Sequence, residues 1–263
     1  MQFITVGSDK RQLCLSRLLS QTALVSAFGS PSCPVRTDAL VLPCPSFDRG
    51  GQLRADCTLS DLAPFLTEGV TVFCCGSTAP LAPYPVHAVD LLKDEIAVLE
   101  NARLTAEAAI LAAMEHCGDS LHKKRCLVIG YGRIGTYLAR LLAAVGARCT
   151  VYARRAQSRT LAEGFGLSIT DGGAFSQNFD FVFNTVPAQA LTRTALSSLP
   201  QSCVWVELAS APGGLPQGGA PLPFTVLPAG GLPGKYLPCA AARVLYAAIL
   251  RQFGKSEFEE QEL

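Results

Sequence analysis

Short apolar runs alternate with amphipathic stretches along most of the chain. Residues 3–6 predict a first strand, 10–19 a helix, and 40–42 a strand ending at Pro43. A loop through 46–51 precedes a short helix near 59–66 and a strand over 70–74. Pro80, Pro83 and Pro85 punctuate the exit from that strand. Ile96, Leu99, Ala106, Ile110 and Met114 then recur along 94–117, which predicts a long helix able to bridge two domains. Apolar runs follow at 125–129, 149–152, 179–183, 203–206 and 224–227, each bounded by turn residues. Helical patterns lie at 137–145 and from about 239 to 253. Strands alternating with helices predict parallel, doubly wound sheets, which bind ligands at strand ends such as Gly213-Gly214 and Gly230-Gly231.

Composition narrows the class without naming a chemistry. The chain has 263 residues, 49% of them hydrophobic and 16% charged, as in a well-buried globular protein of one large or two modest domains. A net charge of +1 gives no reason to expect nucleic acid or a membrane surface as partner. No apolar run of spanning length occurs, and the first residues read as a strand and not as a signal peptide. Eleven cysteines show no C-x-x-C pair, and the adjacent Cys74 and Cys75 suit no common zinc spacing, so no metal is expected. Cys74, Cys126, Cys149 and Cys203 sit inside apolar runs, which predicts buried, reduced thiols in a cytoplasmic protein.

The sharpest motif is Gly130-Tyr131-Gly132-Arg133-Ile134-Gly135, set between the run at 125–129 and a helical pattern. That context marks the βαβ unit of a dinucleotide-binding domain. Gly130 permits the tight turn, Gly132 lets backbone approach a pyrophosphate, and Gly135 lets helix and strand pack closely. The pyrophosphate is expected over the N–H groups of Arg133, Ile134 and Gly135 at the helix start. An NAD site carries a carboxylate about 20 residues further on. This chain has Arg154 and Arg155 there, with Arg154 lying 19 positions after Gly135. Guanidinium groups pair with phosphate, so the charge suits the 2′-phosphate of NADP; a solvated basic helix start is the competing reading.

The expected fold is therefore α/β with two doubly wound domains: a small flavodoxin-like N-terminal domain and a Rossmann domain. The boundaries expected are 1–93 for the N-terminal, substrate-side domain, 94–118 for the bridging helix and 119–237 for the NADP-binding domain. A C-terminal helix from 238 should pack back on the first domain, ahead of an acidic tail at 257–263.

With these elements in place, the chain resembles the family of dipicolinate synthase A subunits, NADP-type oxidoreductase components of spore-forming bacteria. The likeness runs through Gly7-Ser8-Asp9-Lys10-Arg11-Gln12, Asp38 to Pro43, Asp94 to Ala97 and Asn101 to Glu107. It continues through the glycine motif, Asn184-Thr185-Val186-Pro187, Glu207 to Gly214, and Gly231-Leu232-Pro233-Gly234-Lys235. The last two stretches are the most specific. Three departures stand out. The family pattern Pro-Lys-Thr-Ala reads Pro238-Cys239-Ala240-Ala241, which removes a lysine. Glu207 stands where the family has Asp, and Ala211 where it has a basic residue. The first domain also reads as trimmed between Leu24 and Asp38, where a strand and a helix belong. More broadly, the plan is similar to that of two-domain 2-hydroxyacid dehydrogenases. Val186-Pro187 and Ala209-Ser210 resemble their adenosine-side and nicotinamide-side loops.

The resemblance implies conversion of dihydrodipicolinate to dipicolinate, with hydride passing to NADP and loss of a ring proton. Two carboxylates then need cations, for which Arg11 and Lys235 are the candidates; each is otherwise a solvated residue. Glu107 is either a general base or a polar partner on the bridging helix. Thr185 ends a strand at the cofactor edge, and Asp9 is expected to cap the first helix. The three histidines, His87, His116 and His122, all precede the glycine motif, which argues against a lactate-type mechanism with its acid–base histidine in the cofactor domain. The family also implies a homo-oligomer and a flavoprotein second subunit. A non-catalytic NADP-binding subunit, or an oxidoreductase for another small carboxylate, are the alternatives.

Overall fold

A computed structural model of the chain describes residues 1–172, 178–218 and 221–253. It divides into two compact units, one formed by Met1–Asn101 with the segment from Leu237 onward, the other by Ala102–Tyr236. The acidic tail expected at 257–263 lies outside the described residues.

The first unit holds β1 (Gln2–Thr5), α1 (Lys10–Leu19), β2 (Leu24–Ala27), β3 (Ala39–Val41), α2 (Leu59–Leu62), β4 (Thr71–Cys74) and β5 (His87–Asp90). All the strands are parallel, in the order β2-β1-β3-β4-β5. This is the flavodoxin-like order. The pleat assigns the core: Phe3, Val41 and Phe73 face one side, while Ile4, Leu40, Leu42 and Val72 face the other. On the first side, Leu15 and Leu19 of α1 meet Leu245 and Ile249 from the helix at Pro238–Gln252. Asp9 caps α1, its Oδ1 accepting the Gln12 N–H at 2.9 Å. A capping box of Thr58 and Asp61 starts α2.

Two sequence expectations need correction here. The segment read as trimmed of a strand and a helix keeps the strand, the edge strand β2 paired with β1, and lacks only the helix. Nor are all the thiols reduced: Cys14 on α1 and Cys239 on the last helix form a disulfide, with Cα atoms 5.3 Å apart across a separation of 225 residues. The packing of these two helices brings the cysteines together, and no local spacing announces it.

α3 (Glu95–Cys117) leads into the second unit, which continues with β6 (Arg125–Ile129), α4 (Arg133–Ala144), β7 (Arg148–Tyr152), α5 (Ala156–Gly164) and β8 (Ser168–Thr170). Then come β9 (Phe181–Asn184), α6 (Arg193–Ser197), β10 (Val204–Glu207), β11 (Thr225–Pro228) and α7 (Leu232–Tyr236); the helix at Pro238–Gln252 is α8. The six strands are parallel, in the order β11-β10-β9-β6-β7-β8. From the β8 edge this is the dinucleotide-binding order 3-2-1-4-5-6. Gly135, Leu138, Ala139 and Leu142 are the buried side of α4, at the helical spacing that seats it on the sheet. Leu127, Ile129, Val182 and Trp205 build one core face with Ala195 and Leu196 of α6.

Candidate functional site

In the second unit the strand order reverses between β6 and β9, so the crevice at their carboxyl ends is the expected ligand position. The glycine motif occupies the end of β6. Gly130 has φ +93°, in the region that favours glycine. A Cβ there would fall 2.5 Å from Thr185 Oγ1 and 2.7 Å from Val186 Cγ2, both on the segment leaving β9. A Cβ on Gly135 would collide with the Gly130 carbonyl oxygen. Thr185 Oγ1 donates to the Ile129 carbonyl at 2.8 Å and holds the two strand ends together.

Gly132 is different. A Cβ there would meet nothing within 4 Å, so its outer side is open. It is the N-cap of α4 and supplies no side-chain cap. The helix start, with Arg133, Ile134 and Gly135, thus offers an uncapped, open N-terminus, which suits an anion. These residues fit a dinucleotide pyrophosphate.

Arg154 and Arg155 lie exposed at the carboxyl end of β7, with no carboxylate in the segment before α5. Arg159, which the sequence pattern did not single out, braces this turn: its Nη1 donates to the carbonyls of Ala153 and Arg154 at 3.1 and 2.8 Å. Its place one turn into α5 was the available signal.

At the ends of β9 and β10 the central group is Glu207. Its Oε1 accepts from Asn184 Nδ2 at 2.6 Å and from the Ala209 N–H at 3.2 Å. Its Oε2 accepts from Trp205 Nε1 at 3.0 Å and from the Gly214 N–H at 3.0 Å. Asn184, fully buried, also donates to the Val186 carbonyl at 2.9 Å and accepts the Val186 N–H at 3.2 Å. One carboxylate and one amide therefore fix both the Val186-Pro187 and the Ala209-Ser210 segments. In the sequence Glu207 stood out only as a departure from a pattern. The alternation Trp205-x-Glu207, which puts both side chains on one face of a strand, could have found the link.

The residues assigned to substrate chemistry fall as follows. Glu107 pairs with Arg103 one turn earlier on α3, at 2.5 Å, with both side chains more than one-third exposed. Exposed Lys235 on α7 places Nζ 4.8 Å from the Tyr236 ring centroid and 3.3 Å from its hydroxyl, while that hydroxyl donates to Glu115. Arg11, in the first unit, is not the solvated residue its position suggested. It is buried, and its Nε has no hydrogen-bond partner among the described residues. All three histidines are exposed. Among the described residues no cluster of His, Cys, Asp or Glu could hold a metal ion, and no helix is long and apolar enough to cross a membrane.

Residues 97–199 match the family model of the D-isomer specific 2-hydroxyacid dehydrogenase NAD-binding domain. The A subunit of dipicolinate synthase from Bacillus subtilis strain 168 is 31% identical over 177 residues, which are 64% of this chain and 58% of that protein. The chain thus matches little more than half the length of this curated relative. Among solved structures, the dipicolinate synthase A subunit from Bacillus halodurans superposes with a TM-score of 0.80 at 23% identity, covering 95% of this chain and 97% of that one. Its Bacillus subtilis counterpart gives 0.77 at 23% identity, covering 99% and 98%. The second unit carries a nicotinamide dinucleotide-binding domain of dehydrogenase type, and the chain as a whole is similar to the A subunits of dipicolinate synthase.

Proposed function

We propose that the chain is an NADP-dependent oxidoreductase that converts dihydrodipicolinate to dipicolinate, as the name of its curated relative suggests. The observation that carries the reading is the β6/β9 crevice: an open, uncapped α4 N-terminus at Gly132, with Arg154 and Arg155 where a carboxylate would select NAD. When bound, NADP supplies a hydride acceptor. The backbone of Arg133, Ile134 and Gly135 holds the pyrophosphate, and Arg154 and Arg155 hold the 2′-phosphate. Val186-Pro187 and Ala209-Ser210 line the adenosine and nicotinamide ends, and Glu207 keeps both segments in place. Each substrate carboxylate needs a cation, and Arg11 and Lys235 are the proposed ones. Arg11 Nε is a buried donor still lacking an acceptor. Glu107 would take the ring proton; aromatisation favours the step, so a strong base is not required. A flavoprotein second subunit is the proposed partner.

A second reading, a non-catalytic NADP-binding subunit, draws on one observation. Cys239, at the position where the pattern of the family it resembles has lysine, is covalently tied to Cys14. One experiment separates the two. Dihydrodipicolinate is generated in situ and NADP is supplied, with and without the flavoprotein. The enzyme reading requires NADPH and dipicolinate to appear in equal amounts, and Gly132→Asp to abolish both. NADP binding without NADPH formation, with dipicolinate forming at the same rate when the chain is omitted, overturns it in favour of the second reading.

A further inference from the structure

α3 (Glu95–Cys117) inverts the usual arrangement of a surface helix, which buries its large apolar residues and turns polar ones outward. Its buried side is largely alanine, while Ile96, Leu99, Leu111 and Met114 look outward, each 38 to 50% exposed. Among the described residues no other helix exposes more than one large apolar side chain. At about 100° per residue these four lie, with Arg103 and Glu107, within about 60° of one direction, as a single stripe on one helix. The cofactor site does not use the apolar four, and a contiguous apolar stripe left in water marks a contact surface.

The stripe is symmetric about its middle. Ile96 and Met114 stand nine positions either side of residue 105, Leu99 and Leu111 six, and Arg103 and Glu107 two. Leu99 and Leu111 also depart from the mid-line by equal and opposite angles, as do Arg103 and Glu107. From this pattern we infer that α3 is a self-association surface, through which two copies of this chain form an antiparallel, two-fold symmetric dimer. Ile96 meets the second copy's Met114, Leu99 meets the second copy's Leu111, and every contact occurs twice. Within one copy Arg103 already pairs with Glu107 at 2.5 Å. Across the axis Arg103 faces the second copy's Glu107, so four charges of alternating sign surround the axis. A parallel pair would set Arg103 on Arg103, and an unrelated partner has no reason to share the register. The apolar positions span eighteen residues, about 27 Å, so both ends engage only at a shallow crossing of about 20°.

Glu107 then serves the axis, so this interface and the proposed base are alternative uses of one side chain. The cofactor site does not depend on which of them holds. The test uses the full chain. Sedimentation of the wild type at micromolar concentration should give a dimer. Leu99→Glu and Leu111→Glu, both at exposed positions, should each weaken it about a hundredfold or more, with unchanged Trp205 emission as evidence of folding. Arg103→Glu and Glu107→Arg should each associate poorly alone and form a heterodimer when mixed, because the mixture restores opposite charges across the axis. A mixture of Leu99→Cys and Leu111→Cys chains, gently oxidised, should yield a 99–111 link by peptide mapping and no 99–99 link. A monomeric wild type overturns the inference and leaves the stripe to a different protein, such as the proposed second subunit. So does a dimer that survives either leucine-to-glutamate substitution, or a charge-variant mixture that stays monomeric. A monomer that binds NADP sinks this inference alone, whereas a dimer that does not bind NADP sinks the cofactor reading and leaves the interface standing.

Discussion

Glu207→Gln removes one negative charge and almost no volume, yet its cost should be large. Four donors converge on the carboxylate, two on each oxygen. An amide keeps one acceptor oxygen, so whichever way it is turned, two of those donors face an NH2 group. If the amide nitrogen replaces Oε2, the indole N–H of Trp205, only 1% exposed, loses its partner together with the Gly214 N–H. If it replaces Oε1, the loss falls on Asn184 and the Ala209 N–H. A stranded buried donor costs about 1–3 kcal/mol, so two give about 2–4 kcal/mol once partial solvation of the loop end is allowed for. Trp205 is the single tryptophan of the chain, and its fluorescence reports on this network directly. Urea unfolding followed by that emission should show a midpoint lower by about 1–2 M, with altered native-state emission. NADP affinity should fall as well, because the segments at 186–187 and 209–210 lose their common anchor. A midpoint within about 0.3 M of wild type, with unchanged emission, would refute the claim that Glu207 organises both loops.

Three further outcomes are expected. Arg154→Ala should weaken NADP(H) by about 1.5–3 kcal/mol while leaving NAD(H) affinity nearly unchanged; titrations of both cofactors check this, and equal affinities in the wild type would defeat the NADP assignment. Asp94 accepts from Arg251 Nε at 2.7 Å and from the Ala97 N–H at 2.9 Å. Burial pushes its carboxyl up, but these hydrogen bonds outweigh burial and hold it below its ordinary value. Its contribution is therefore present above the unfolded-state carboxylate pKa and fades as pH falls through the folded value. Asp94→Asn should cost about 1–3 kcal/mol near pH 7 and little at the acid end, measured by denaturation across pH. Thiol titration of protein unfolded without reductant should find nine free cysteines, with a bridged peptide of Cys14 and Cys239; eleven free thiols would exclude the bridge.

What the sequence disclosed follows burial. β3 and β9 are buried at every position, and both were legible as apolar runs. β2, β5 and β8 are edge strands with mixed exposure, and all three escaped notice. An edge strand has one neighbour and need not be apolar along its length, so these three left no run to read, whereas β11, also at an edge and largely exposed, was legible because its sequence is apolar. The glycine motif hid the start of α4. The pattern predicted a helix from residue 137, whereas it begins at Arg133, because its first buried position is Gly135, which carries no side chain. The Cys14–Cys239 bridge and the convergence on Glu207 were illegible for another reason. Their partners are set by helix packing and strand order, which a single sequence does not display. Arg11 shows the same limit: its position at a helix start was plain, but its burial was not.

The two units answer one topological question in different ways. Where a parallel sheet reverses its strand order, two loops diverge and leave a crevice at the carboxyl ends. In the second unit that crevice is framed by Gly130, Gly132 and Gly135. Two of these are required by contacts inside the fold, while the third, Gly132, meets nothing. Packing explains Gly130 and Gly135, since a Cβ at either would collide with Thr185, Val186 or the Gly130 carbonyl. Packing does not explain Gly132, which is the N-cap of α4 and whose outer side is open, as the proposed pyrophosphate position requires. The same reasoning selects Arg11 in the first unit. A buried guanidinium nitrogen without an acceptor is costly, and neither the cap of α1 nor the core around Leu15 uses it. In each unit the informative residue at the crevice is the one whose presence stability alone does not explain.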